Sequence, residues 1–151
     1  MSIAINRQAK ADYEIIETLE AGISLLGSEV KSLRNRQSVS FKDSFVKIKG
    51  SEAWLYNLYI SPYSKATIVK PEPLRDRKLL LHKSEIMRLL SKSQQKGYSI
   101  IPLELYFKNG LVKVKIALVK GKTNRDRREE LRRKDLEREL SRELKSGKLK
   151  L

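Results

Sequence analysis

Apolar and polar positions alternate most regularly between residues 103 and 119. Leu103, Leu105 and Phe107 are separated by Glu104 and Tyr106. After Asn109-Gly110, Val112, Val114 and Ile116 are separated by Lys113 and Lys115. A period of two is that of a strand with one buried face. Asn-Gly tolerates the positive φ that a type I′ turn needs at both central positions. The pattern predicts a hairpin in which Phe107 faces Val112, Leu105 faces Val114 and Leu103 faces Ile116. Its other face pairs Glu104 with Lys115 and Tyr106 with Lys113. A slip of one residue would bury those lysines.

Weaker patterns flank this hairpin. Val46 and Ile48 alternate with Lys47 and Lys49, which predicts a strand from Ser44 to Lys49; it turns at Gly50-Ser51-Glu52 into a second strand, Ala53 to Ile60. Residues 13–26 read as a bent strand with a bulge or sharp coil at Ala21-Gly22. Ser28 is placed to cap a helix from Glu29 to Arg34. Ile86, Leu89 and Leu90 mark the inner face of another helix, about Ser84 to Lys96, stopped by Gly97. Phe45, Trp54 and Phe107 are assigned to the core. The expected fold is mainly β with short helices: a small antiparallel OB-like barrel, whose open face commonly binds oligonucleotides.

The final segment breaks from this pattern. Residues 120–151 contain no aromatic residue, and their aliphatic side chains are Leu131, Leu136, Leu140, Leu144, Leu149 and Leu151. They carry 13 Lys/Arg against 7 Asp/Glu, whereas residues 1–119 carry 20 against 11. So little apolar surface cannot offset the ordering entropy of the segment. Leu136, Leu140 and Leu144 nonetheless recur every four residues, on one face of a helix. The division predicted is a globular body, 1–119, and a basic tail, 120–151, disordered alone or helical on contact.

Across all 151 residues the net charge is +15, which points to a polyanionic partner. No stretch approaches the roughly 18 consecutive apolar residues of a membrane span, and the N-terminus lacks a secretory apolar region; a cytoplasmic protein is expected. Cys is absent and His82 is the single histidine, so neither a thiolate metal site nor a cysteine nucleophile is available. Gly121-Lys122-Thr123 resembles the end of a phosphate-binding loop, but that motif needs a glycine where Ile116 stands. No enzyme, metal or cofactor is expected.

Several stretches together carry a family resemblance: Asn6 with Asp12-Tyr13; Glu20-Ala21-Gly22-Ile23; Gly27 to Arg34; Asp43-Ser44-Phe45-Val46; Pro62-Tyr63; Arg77 to His82; Leu105 to Gly110; Lys113 to Leu118; and Lys120-Gly121-Lys122 with Asp126-Arg127-Arg128. In order and spacing they resemble the SsrA-binding (SmpB) family of bacterial ribosome rescue. The resemblance implies an OB-like barrel that binds the tRNA-like domain of tmRNA and delivers it to stalled ribosomes. It also implies a tail that becomes helical in the empty mRNA channel near the decoding centre, with the small ribosomal subunit, its rRNA and elongation factor Tu as partners. The alternative is a structural ribosomal protein with an OB barrel and a basic extension.

By the same resemblance, Asn6, Glu20, Leu80 and His82 face the tmRNA. Glu20 would accept hydrogen bonds from base amino groups or ribose hydroxyls; the plainer alternative is a carboxylate paired with a lysine. Asn6 reads a base edge or caps a short helix, and His82 contacts RNA or merely starts a helix. Arg75, Arg77 and Lys78 are expected on phosphates. Lys120, Gly121, Lys122, Asp126, Arg127 and Arg128 are expected at the ribosome, against the alternative of a flexible basic leash.

Overall fold

A computed structural model describes residues 2–63, 71–122 and 124–146, apart from the side chains of 124–127, 130, 145 and 146. Residues 1–121 form one compact unit and residues 122–151 a second. The elements of the first are β1 (Ser2–Ile5), α1 (Ala9–Asp12), β2 (Tyr13–Ile23), α2 (Gly27–Arg34), β3 (Val39–Ser40), β4 (Phe45–Lys49), β5 (Glu52–Tyr56), β6 (Tyr59–Ile60), β7 (Arg77–Leu80), α3 (Lys83–Ser93), β8 (Tyr98–Lys108) and β9 (Leu111–Gly121).

The strands pair antiparallel in the order β8-β4-β5-β7-β2-β9, and β9 pairs again with β8. That last pairing closes the sheet into a barrel, which leaves no free edge within the ring. β1 lies along the far half of β8, and β3 pairs with β6 in a separate two-stranded sheet. The expected architecture is therefore observed, with β1, α1 and the β3–β6 pair added.

The hairpin register follows the alternation as far as Glu104: Phe107 opposes Val112, Leu105 opposes Val114, and Glu104 opposes Lys115. Asn109 and Gly110 have φ of 50° and 79°, as a type I′ turn requires. Beyond Glu104 the expected register fails. Pro102, not Leu103, opposes Ile116, and Leu103 is the extra residue of a bulge. Pro102 has no N–H for the ladder, so a bulge is where a central strand can tolerate it. Asn6 binds both exposed carbonyls: its backbone N–H donates to Leu103 O at 2.7 Å and its Nδ2 to Pro102 O at 2.9 Å.

β2 ends at Ile23, and its bulge falls between Ile15 and Glu17 rather than at Ala21-Gly22. The predicted strand over residues 53–60 is divided by Asn57, whose φ of 58° breaks the extended backbone. Ser28 does not cap α2. The helix starts two residues earlier, at Gly27, and Glu29 reaches back to accept the Leu26 N–H at 2.9 Å. α3 starts at Lys83 and ends at Ser93, with Gly97 (φ 87°) in the following turn.

The barrel interior is filled by Ala21, Ile23, Val46, Leu55, Leu79, Ile100, Leu105, Val114, Ile116 and Leu118, closed over by Leu33 from α2 and by Ile86 and Leu89 from α3. Ion pairs from Arg88 (3.1 Å) and Lys92 (2.9 Å) to Glu17 tie α3 to β2. A smaller cluster outside the barrel joins Ala9 of α1 to Ile101, Ala117 and Val119. This second cover explains why the run Ile116–Val119 is apolar without interruption: that length of β9 is buried on both faces.

The second unit contains α4 (Asn124–Ser146). Leu131, Leu136, Leu140 and Leu144 are all exposed on it, by 46–61%. Leu149 and Leu151 lie outside the described residues. The body extends two residues further than predicted, because β9 pairs Gly121 with Tyr13 and Lys120 with Glu14.

Candidate RNA interface

β2, β7 and β9 meet at Gly22, which opposes Leu80 of β7 on one side and Lys113 of β9 on the other. A Cβ at Gly22 would stand 3.1 Å from the Leu80 Cβ, so the glycine permits this close approach. Leu80 in turn projects outward and is 57% exposed, an apolar side chain that nothing in the body covers. A groove of about 690 Å³ opens here, lined by Glu20, Lys78, Leu80, His82, Glu85 and Lys113 among others. Four of the sequence-predicted residues (Glu20, Lys78, Leu80 and His82) thus share one surface. A second groove of about 450 Å³ adjoins it through Glu20 and is lined by Thr18, Glu104, Tyr106 and Lys115.

Glu20 stands where the two grooves meet, and its carboxylate is held from β8. The Tyr106 hydroxyl donates to Oε2, and Lys108 Nζ donates to Oε1 at 3.2 Å and Oε2 at 3.3 Å. The Tyr106 hydrogen bond, aided by Lys108 and Lys113, outweighs the opposing effect of desolvation and keeps the carboxyl below its ordinary pKa. Burial and the bond to Glu20 push the Tyr106 phenol well above its ordinary range, so it remains a donor. At neutral pH Glu20 is therefore an ionised, oriented acceptor. A carboxylate offers about four acceptor positions, which leaves capacity for a donor from outside. The plainer reading of Glu20, pairing with a lysine, is observed, and the lysine is Lys108.

His82 is the N-cap of α3. Its backbone N–H is accepted by Glu85 Oε1 at 3.1 Å, and the residue is exposed. Lys78 is half-exposed and reaches Glu52 at 3.7 Å. Both keep a surface position from which RNA is reachable.

The geometry removes Arg77 from this surface. Its side chain is fully buried on the inward face of β7. Nε donates to Glu29 Oε2 at 2.8 Å, Nη2 to the same oxygen and to Pro73 O at 3.1 Å, and Nη1 to Leu58 O. Arg75 is committed to the same carboxylate, with Nε on Glu29 Oε1 at 3.2 Å and Nη2 also bonded there. One carboxylate thus caps a helix and ties two arginines. A phosphate contact at Arg77 is incompatible with that burial, and Arg75 has its fork directed inward. Asn6 is elsewhere as well: with Arg7, Gln8 and Phe41 it lines a separate groove of about 530 Å³, and its amide holds the β8 bulge. It does not cap α1, whose N-cap is Gln8.

Lys120 and Gly121 belong to β9, with Lys120 Nζ 5.8 Å from the Tyr98 ring centre. Lys122 follows the strand. Arg128 is exposed on α4, whereas the side chains of Asp126 and Arg127 lie outside the described residues. Gly22, Tyr106, Lys108 and Lys113 were not singled out from sequence as site residues. A glycine inside a strand was the one available signal, since it marks close approach as readily as a bulge.

The model of the family described as SmpB protein matches residues 3–146. An SsrA-binding protein of Aquifex aeolicus is 66% identical over 149 residues, covering 99% of this chain and 94% of that protein. One from Persephonella marina is 53% identical, covering 99% and 97%. A solved chain described as "tmRNA-SmpB: a journey to the center of the bacterial ribosome" superposes with a TM-score of 0.70 at 47% identity, covering 88% of this chain and 96% of that one. With a family model matched over nearly its full length and relatives of this identity, the chain belongs to the SmpB protein family.

Proposed function

We propose that the chain binds the tRNA-like domain of tmRNA through the groove at β2, β7 and β9 and delivers it to stalled ribosomes for trans-translation. The observation that carries this is the convergence of Glu20, Lys78, Leu80 and His82 on one surface of a family member. Glu20 accepts from base or ribose donors, which an ammonium cannot do. Leu80 packs on an unstacked base or a sugar, and Lys78 and Lys113 neutralise phosphate. α4 enters the vacant mRNA channel of the small subunit, where its leucine face is covered and its cations meet rRNA; elongation factor Tu accompanies the delivery. The protein is an adaptor that catalyses no step, and it works in the cytoplasm. Among the described residues no helix is long and apolar enough to cross a membrane. The relatives lend no support to a structural ribosomal protein.

Titration of the isolated tRNA-like domain tests the groove. Glu20→Ala removes a charged hydrogen-bonding partner and is expected to weaken binding on the order of ten-fold or more. Affinity should also fall steeply with salt as counterions are released. Equal affinity for wild type and Glu20→Ala, or a flat salt response, counts against the assignment.

Gly22→Ala tests the close approach of β2 and β7. The new methyl would stand 3.1 Å from the Leu80 Cβ, which moves only with the β7 backbone, so the thermal midpoint should fall modestly. RNA affinity should drop, because Leu80 no longer lies where the groove needs it. A variant that binds normally would mean that the position of Leu80 is immaterial.

A further inference from the structure

The outward face of β4, β5 and β7 is built unlike a plain solvated sheet. Ala53 and Leu55 point into the barrel, which sends Glu52, Trp54 and Tyr56 outward; Phe45, Lys47 and Lys49 alternate with Val46 in the same way on β4. The register aligns Phe45 with Tyr56, Lys49 with Glu52, and Lys47, Trp54 and Lys78 in one row across three strands. Phe45 is 39% exposed, not in the core as its sequence context suggested. Its ring stacks on Tyr56 with centres 5.1 Å apart and planes inclined by 16°, and Lys49 Nζ lies 5.2 Å from the Tyr56 ring centre.

Beyond Phe45 and Lys47 the face runs into a cleft of about 350 Å³, whose opposite wall is formed by Leu90, Ser93 and Tyr98. Lys120 stands over the Tyr98 ring. Aromatic faces therefore line a track from Tyr56 through Phe45 to Tyr98, accompanied by Lys47, Lys49 and Lys120. The acidic groups near it are Glu52, paired with Lys78, Asp76, and Glu14, which lies opposite Lys120 on β2. None of the aromatic residues of this track lines the groove of Glu20 and Leu80.

We propose that this face is a second RNA site, one that stacks the unpaired bases of a single-stranded segment on Phe45, Tyr56 and Tyr98 while Lys47, Lys49 and Lys120 follow its phosphates. Base stacking on exposed rings along a cationic groove is how single strands are held without sequence choice. Duplex RNA presents no free base faces to such a surface. A protein partner would desolvate the exposed ammonium groups of Lys47 and Lys49, a cost that the phosphates of a single strand compensate. The two surfaces adjoin at Glu52 and Lys78, but the stacking rings lie outside the groove proposed for the tRNA-like domain, so substitutions at the rings separate the two.

Trp54, the single tryptophan of the chain, sits in the middle of the face and reports on it. The experiment is a titration of the full chain with a short oligoadenylate, read by Trp54 fluorescence and repeated with the tRNA-like domain already bound. The expected result is saturable quenching that persists in the presence of that domain. Tyr56→Ala and Phe45→Ala should each weaken oligonucleotide binding roughly five- to hundred-fold and leave affinity for the tRNA-like domain unchanged. Tyr56→Leu and Phe45→Leu, which keep apolar bulk on the strands, should show the same loss and guard against misfolding of the alanine variants. No quenching, displacement of the oligonucleotide by the tRNA-like domain, or full affinity in the leucine variants would each overturn the proposal.

Discussion

Arg77→Met is expected to lower the stability of the body by about 3–5 kcal/mol, because removing one partner of a buried ion pair strands the other. The substitution keeps most of the aliphatic volume but leaves the Glu29 carboxylate without its buried guanidinium. The carbonyls of Leu58 and Pro73 lose their donor as well. A loss of that size moves the melting midpoint down by on the order of 10–20 °C. Thermal or urea unfolding followed by circular dichroism measures it. The folded protein should still bind RNA with near-normal affinity. The opposite pattern, unchanged melting with a large fall in affinity, would restore Arg77 to the phosphate contacts expected from its sequence position.

The same carboxylate gives the stability a dependence on acid. Burial alone would raise the Glu29 pKa, but the Arg75 hydrogen bond, the Leu26 N–H and Arg77 outweigh it, and the folded value lies below the ordinary 4.5. A depressed carboxylate contributes its full stability above its unfolded pKa and loses it as pH falls through the folded one. Wild-type urea midpoints should therefore decline below about pH 4.5, and Glu29→Gln should decline less steeply while starting lower. Parallel slopes would mean that other carboxylates carry the acid response.

Ending the chain after Lys122 is expected to abolish tagging on stalled ribosomes while binding to the tRNA-like domain remains close to that of the full chain. The cut belongs after β9, since ending at Val119 would remove the pairings of Lys120 and Gly121 with β2. A helix of 23 residues with its leucines exposed is marginal by itself and draws its order from what it packs against. Replacing Leu136, Leu140 and Leu144 together with serine should reproduce most of the truncation's effect. Normal tagging by that triple variant would reduce the leucine face to a passive feature and leave the charges to act alone.

Legibility from sequence followed the range of the interactions. The Asn109-Gly110 hairpin was readable because turn chemistry and alternation act over a few neighbouring residues. The bulge at Leu103 was not, since Pro102 and Leu103 are both apolar and β8 is covered there on two faces, which erases the period of two. Arg77 was misread because charge was taken as exposure; its partner Glu29 is 48 residues away, and no local pattern connects them. Phe45 was misread in the opposite sense, as aromatic and therefore buried, although the lysines at 47 and 49 already marked its face as the outward one. Glu20, Leu80 and His82 were found through family resemblance, while the residues that aim Glu20, Tyr106 and Lys108, come from a strand more than 80 positions later.

The first strand carries a practical corollary. Asn6 clips the end of β1 to the β8 bulge, and at the other end Ser2 lies on the rim of the groove that holds Glu20 and Tyr106. A purification handle fused ahead of Ser2 would therefore emerge beside that opening and compete with an incoming macromolecule for space. Handles for quantitative work are better cleaved away before titration, and a fluorophore attached at that terminus would serve as a proximity reporter for occupancy.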